Sequence, residues 1–201
     1  MFTLFVALST ALIPVPSRPT GIKYGPSSAP VNIEVFVDIT CPDCATEYET
    51  VKKVLAAYPT QVNVVYHFFE LPSHTWSYVL TRSIFACLKE SEDYAKKMID
   101  GLLGNGDQSQ FYPTVLAEKG EAKVQKLAEQ YAVSTTGIDS STFELNYDDL
   151  SVIMLTRIEF KYSLIKNLKG TPTVYINGVE SSLNEESTLQ DWKDLIDSLL
   201  D

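Results

Sequence analysis

Cys41-Pro42-Asp43-Cys44 is the segment of this sequence best equipped for chemistry. Two cysteines with two residues between them can exchange a disulfide with another thiol, hold a metal or merely staple a loop. Only three cysteines occur in 201 residues, the third being Cys87, which excludes a disulfide-framework fold and any four-cysteine zinc or iron–sulfur site. A staple across so short a loop constrains the unfolded chain little. A zinc site would recruit His67 and His74, whose H-x6-H spacing departs from H-x3-5-H. A cysteine protease needs one nucleophile with a dedicated base rather than a pair. The pair favours redox exchange, with no metal.

The flanking elements must place those sulfurs. Val31–Val37 has the β-branched alternation of a buried strand. Immediately after the first cysteine the period changes: Ala45, Tyr48, Val51, Val54/Leu55 and Tyr58 fall on one helical face that ends at Pro59. Cys41 therefore sits at a helix N-terminus, where unpaired N–H groups and the helix dipole favour a thiolate, and Pro42 suits the first turn. This geometry should expose Cys41 as the attacking sulfur and turn Cys44 inward as the resolving thiol. Val62–Phe69 reads as a second strand, completing a βαβ unit with a right-handed crossover.

From Leu71 the character is helical. Expected stripes are Trp76, Leu80, Ile84 and Cys87/Leu88, continuing toward Leu103; Val124, Leu127, Ala128 and Tyr131; and Leu150, Met154, Ile158, Tyr162 and Ile165. Gly104-Asn105-Gly106-Asp107 breaks the first of these runs. The end reverts to sheet: Thr173–Ile176, an Asn177-Gly178 hairpin turn, a short strand, then a terminal helix with a Ser187/Gln190 capping box. Gly170-Thr171-Pro172-Thr173 precedes that hairpin. A proline there is most simply a turn residue; in this context a cis Thr171–Pro172 bond against the cysteine loop is expected.

The fold class is thus α/β, βαβ…ββα around an inserted all-helical sub-domain. The expected divisions are a signal peptide over 1–17, fold residues 18–72, a helical insertion over 73–164 and fold residues 165–201. Phe2–Ile13 is too short to span a bilayer but suits a signal h-region, with Val15 and Ser17 before a cut at Arg18. A buried segment or short anchor is the alternative. Export to a periplasm, endoplasmic reticulum lumen or cell exterior follows, with no membrane span in the mature chain. Sixteen basic and 26 acidic side chains give a formal charge of −10 without a basic cluster, against nucleic acid as a partner.

Taken together, Ala29-Pro30-Val31 through Asp38-x-x-Cys41-Pro42-Asp43-Cys44, Leu71-Pro72-Ser73-His74 and Gly170-Thr171-Pro172-Thr173-Val174-Tyr175-Ile176-Asn177-Gly178 resemble the DsbA-like thiol–disulfide oxidoreductases of the thioredoxin superfamily. The resemblance implies exchange with protein or peptide thiols and disulfides, and a recycling partner the sequence does not name. Cys41 would be the nucleophile, Cys44 the resolving thiol, and Thr171 with Pro172 the wall that binds an extended substrate. It implies no cofactor beyond the redox-active Cys41–Cys44 disulfide. The lead-in is too short for the dimerisation domain of related isomerases, so a monomeric oxidase or reductase is expected. The alternative is a non-catalytic polypeptide-binding or chaperone module using the same groove.

Two departures bear on tuning. The acid usual six residues before the first cysteine is Val35 here, and Asp38 either replaces it or simply begins the loop. Asp43 stands where strong oxidants carry histidine, and its charge disfavours the Cys41 thiolate while the helix dipole favours it. Cys87 reads as a core thiol, His67 as structural, His74 as a loop hydrogen-bonder, and Phe68, Phe69 and Trp76 as core.

Overall fold

A computed structural model describes residues 15–16 and 18–201, so the 1–17 expectation lies outside it except for Val15 and Pro16. The chain runs β1 (Ile22–Tyr24), β2 (Val31–Val37), α1 (Pro42–Ala57), β3 (Val62–Phe68), α2 (Ser77–Glu90), α3 (Glu92–Ile99), α4 (Glu121–Thr136), α5 (Ser140–Tyr147), α6 (Leu150–Ile165), β4 (Thr173–Ile176), β5 (Val179–Glu180) and α7 (Leu189–Leu200). A π-helical turn, Asp100–Gly104, and a 3-10 turn, Asp107–Phe111, separate α3 from α4.

Among the described residues five strands form one sheet, in the order β1-β3-β2-β4-β5. β2 pairs parallel with β3 and antiparallel with β4, as a βαβ unit followed by a hairpin requires. Its central place explains why β2 is buried on both faces rather than alternating. On one face Tyr66 of β3 meets Tyr48 of α1, and α7 packs beside α1. On the other, Phe36 and His67 lie against Tyr162 of α6. The remaining helices gather around α2, which buries Leu80, Ile84, Phe85 and Cys87.

Several local expectations are corrected. The lead-in contains the edge strand β1, antiparallel to β3, too short to carry a pattern of its own. The helical character expected from Leu71 sets in only at Ser77, and the continuation toward Leu103 is interrupted at Ser91, whose side chain caps α3. The short α5 had no distinct periodic signal. The expected α6 stripe is wrong at both ends: Leu150 and Ile165 are 70% and 68% exposed, whereas Val152, Thr156, Ile158, Glu159 and Ser163 face inward. Apolar residues occur on every side of α6, and its inner face carries the polar Thr156, Glu159 and Ser163, so no apolar stripe marks that face. The terminal capping box is Thr188/Asp191, one residue beyond the one expected. Asn177 and Gly178 do form the hairpin turn, both at positive φ (48° and 84°).

Candidate active site

Strand β2 ends at Val37, and the backbone N–H of Cys41 bonds back to the Asp38 carbonyl at 3.0 Å. This turn makes Cys41 the N-cap of α1, extended at φ −77° and ψ 124°, with Pro42 in the first turn. Cys44, one turn on, faces the sheet and is wholly buried. β4 supplies the opposite wall. Because Thr173 stands opposite Phe36 in the β2–β4 register, the residues before β4 come alongside the loop after β2. There the Thr171–Pro172 bond is cis, and the Cys41 thiol faces the Thr171 carbonyl at 3.6 Å.

The two sulfurs are driven apart in acidity. The Cys41 thiol is lowered to about 6, chiefly because the Cys44 thiol donates to it; the N–H groups of Cys44 and Asp43 and the Thr171 side chain assist, against partial burial. Cys44 is pushed well above the ordinary cysteine value, first by burial and then by its bond to Cys41 and that thiolate's charge. One sulfur is therefore a ready nucleophile and leaving group, while the other holds its proton. All three cysteines are free, and burial pushes the Cys87 thiol up to about 12, as suits an inert core residue.

Cys41 is less open than its helix-start position suggested, with only 4% of its surface exposed. The helical segment reaches across to it: the Gln108 amide donates to the Cys41 carbonyl at 3.2 Å, and Tyr112 stands near enough for the Cys41 charge, after burial, to raise its phenol. Gln108 and Tyr112 were not anticipated, because they lie in irregular chain far from the cysteines in sequence. Pro42 and Asp43 are exposed at the rim, whereas Thr171 and Pro172 are half-buried.

Asp38 organises the loop. Its Oδ1 accepts from the Thr40 N–H at 2.8 Å, the Thr40 hydroxyl at 2.9 Å and the Ser77 hydroxyl at 2.8 Å. Its Oδ2 accepts from the Leu71 N–H at 2.7 Å and lies 3.1 Å from His74 Nδ1. Asp38 thus ties β2, the Leu71–His74 segment and the start of α2 together. His67 points the other way, between Glu159 at 2.5 Å and Glu34 at 3.5 Å on the α6 face. The four zinc candidates therefore do not converge, and among the described residues no group of three or more ligands is placed to hold a metal. A charged residue on the inward face of α1 also escaped notice: Glu47 is 1% exposed. Its signal was a carboxylate at an apolar position one turn beyond Cys44.

Known structures share this fold. A protein of Pseudomonas syringae assigned provisionally as a protein-disulfide isomerase superposes with a TM-score of 0.72 at 19% identity, over 88% of this chain and 97% of that one. BdbD from Bacillus subtilis, in its oxidised form, gives 0.66 at 18% identity over 90% and 92%. The thiol-disulfide exchange protein alpha-DsbA2 from Wolbachia pipientis gives 0.67 at 14% identity over 89% and 87%. These likenesses establish the fold. No curated protein sequence matches the chain. The Thioredoxin family model, however, matches residues 17–198, almost the whole chain and both walls of the cysteine site. By sequence as well as by fold, the chain belongs to the thioredoxin family.

Proposed function

We propose that this protein is an exported thiol–disulfide oxidoreductase that exchanges disulfides with protein or peptide substrates through Cys41 and Cys44. The observation that carries the reading is the division of the pair: a thiol lowered to about 6 beside the Thr171 carbonyl, and a buried partner that keeps its proton. Cys41 attacks a substrate disulfide, or is attacked when oxidised, and Cys44 resolves the mixed disulfide. An extended substrate strand lies along Thr171 and Pro172, pairing by its backbone rather than by sequence. Two of the structural neighbours are named for disulfide chemistry, one as a protein-disulfide isomerase and one as a thiol-disulfide exchange protein. The apolar run at Phe2–Ile13 supports export, and no helix among the described residues is long and apolar enough to cross a membrane.

The test is exchange with a fluorescent peptide disulfide in a glutathione buffer. Wild type should catalyse it, Cys41→Ser should abolish it, and Cys44→Ser should accumulate the mixed disulfide. A wild-type protein that exchanges nothing yet suppresses aggregation of unfolded chains would establish the binding-module reading instead.

A further inference from the structure

Cys44 poses a proton problem that the paired sulfurs do not solve. It is fully buried, and burial holds its thiol protonated. To attack a mixed disulfide at Cys41 it must release that proton inside the protein, beyond direct reach of bulk water. Val35, opposite Tyr66 in the β2–β3 register, is apolar and offers no acceptor. Asp38 has both oxygens engaged by the loop that it ties together.

Glu47 has neither oxygen engaged. Both lack a hydrogen-bond partner although the residue is 1% exposed. A carboxylate buried without partners is costly, and such a group calls for a role. Glu47 shares the inward face of α1 with Cys44, three residues away, a spacing that places the two Cβ atoms about 5–6 Å apart. Tyr66 on the facing strand is also buried with an unpartnered hydroxyl, and both Cys44 and Glu47 act on it electrostatically.

We propose that Glu47 is the internal proton acceptor and donor for Cys44. The proposal deepens the exchange reading and rests on it. In resolution, the Cys44 thiol gives its proton to the Glu47 carboxylate, and its sulfur bonds to the Cys41 sulfur. The bond between Cys41 and the substrate sulfur breaks, and that sulfur leaves with the electron pair and takes a proton from solvent. The cysteine pair is oxidised by two electrons and the substrate is reduced by two. In reverse, a substrate thiolate attacks Cys41, the Cys41–Cys44 bond breaks, and Cys44 recovers the proton from the Glu47 carboxylic acid.

The surroundings suit both directions. Burial, then the charge of Glu185 in the segment before α7, raises Glu47 to about 7, so both protonation states are populated near neutrality. The other titratable groups of this region are Cys44 and Tyr48 on α1, Tyr24 on β1, Tyr66 on β3 and Asp100 in the π-helical turn. None of them is a cation that would fix Glu47 in its ionised form.

The test uses the reduced protein and the chromogenic disulfide dithiobis(nitrobenzoate) in stopped flow. Cys41 releases the first thionitrobenzoate and Cys44 the second. Glu47→Gln should leave the first phase at the wild-type rate and slow the second by about 100-fold, the order expected for loss of a positioned base. Glu47→Asp should recover part of the second-phase rate. A second phase in Glu47→Gln within twofold of wild type overturns the proposal. Should Glu47→Gln fail to fold, the wild-type second phase decides: a rate that levels off above neutral pH supports Glu47, and one that climbs steadily into the alkaline range overturns it. A wild type with no second phase refutes the exchange reading itself, a result distinct from failure of the Glu47 assignment.

Discussion

The Cys44 thiol keeps its proton and hydrogen-bonds the sulfur of Cys41, so that a single helical turn lowers one cysteine and raises the other. The helix N-terminus alone would favour whichever sulfur lies nearest to it. Burial of the second sulfur sharpens that preference into two thiols of unequal acidity, the division that the proposed roles of attack and resolution need.

We propose that Asp43, one of the two residues between the cysteines, limits how far the division goes. Asp43 is exposed in the first turn of α1; its backbone N–H helps to lower the Cys41 thiol, and we propose that its side-chain charge works in the opposite direction. Asp43→His should raise the reduction potential of the pair, about 30 mV for each tenfold gain in thiolate stability. Equilibration with glutathione at several ratios measures it, and an unchanged or lower potential counts against this role for Asp43.

Asp38 is a structural hub. Asp38→Ala removes the common acceptor for Thr40, Leu71 and Ser77 in a buried loop and should cost about 3 kcal/mol of stability in urea titrations. A loss below about 1 kcal/mol, the scale of one ordinary hydrogen bond, would contradict it.

The α6 face should show the reverse pattern, with stability affected and chemistry spared. Glu159 is fully buried, accepts from the Gly21 N–H at 2.8 Å and holds His67 at 2.5 Å. Glu159→Ala leaves both without their partner and should cost about 3–5 kcal/mol. The Cys41 titration of the folded variant should match wild type, because this network lies across the sheet from the sulfurs. A shifted titration would show coupling between the two faces.

Burial of Glu47 makes stability depend on pH in a defined direction. Its folded value, about 7, lies above the ordinary 4.5, so between these values the folded state holds a proton that the unfolded state has lost. Unfolding is therefore increasingly favoured as pH rises through this window. Glu47→Gln removes this dependence: relative to wild type it should gain stability from pH 4.5 to pH 7 and no further above it. Parallel urea curves for the two proteins across the window would contradict burial of the free carboxylate.

The redox pair, the proline loop and the βαβ…ββα succession were legible because each is local: a spacing, a change of period, a turn dipeptide. What escaped depends on distant chain segments. Gln108 reaches Cys41 from an irregular turn 67 residues away, and no periodicity marks such a contact. Asp38 could not be assigned from its position alone, since its role depends on Leu71 and Ser77 closing on it. Glu47 was visible only as a break in an apolar stripe, and its lack of partners is a property of the folded protein. The inner face of α6 was masked by apolar residues on every side of the helix.

The central claim is that Cys41 is a thiolate nucleophile at neutral pH while Cys44 keeps its proton. The ultraviolet absorbance of the thiolate, followed against pH in the reduced protein, tests it directly. One cysteine should ionise with a midpoint at about 6, and Cys41→Ser should remove that transition. A first midpoint near 9, the ordinary cysteine value, or a transition that survives Cys41→Ser would contradict the account.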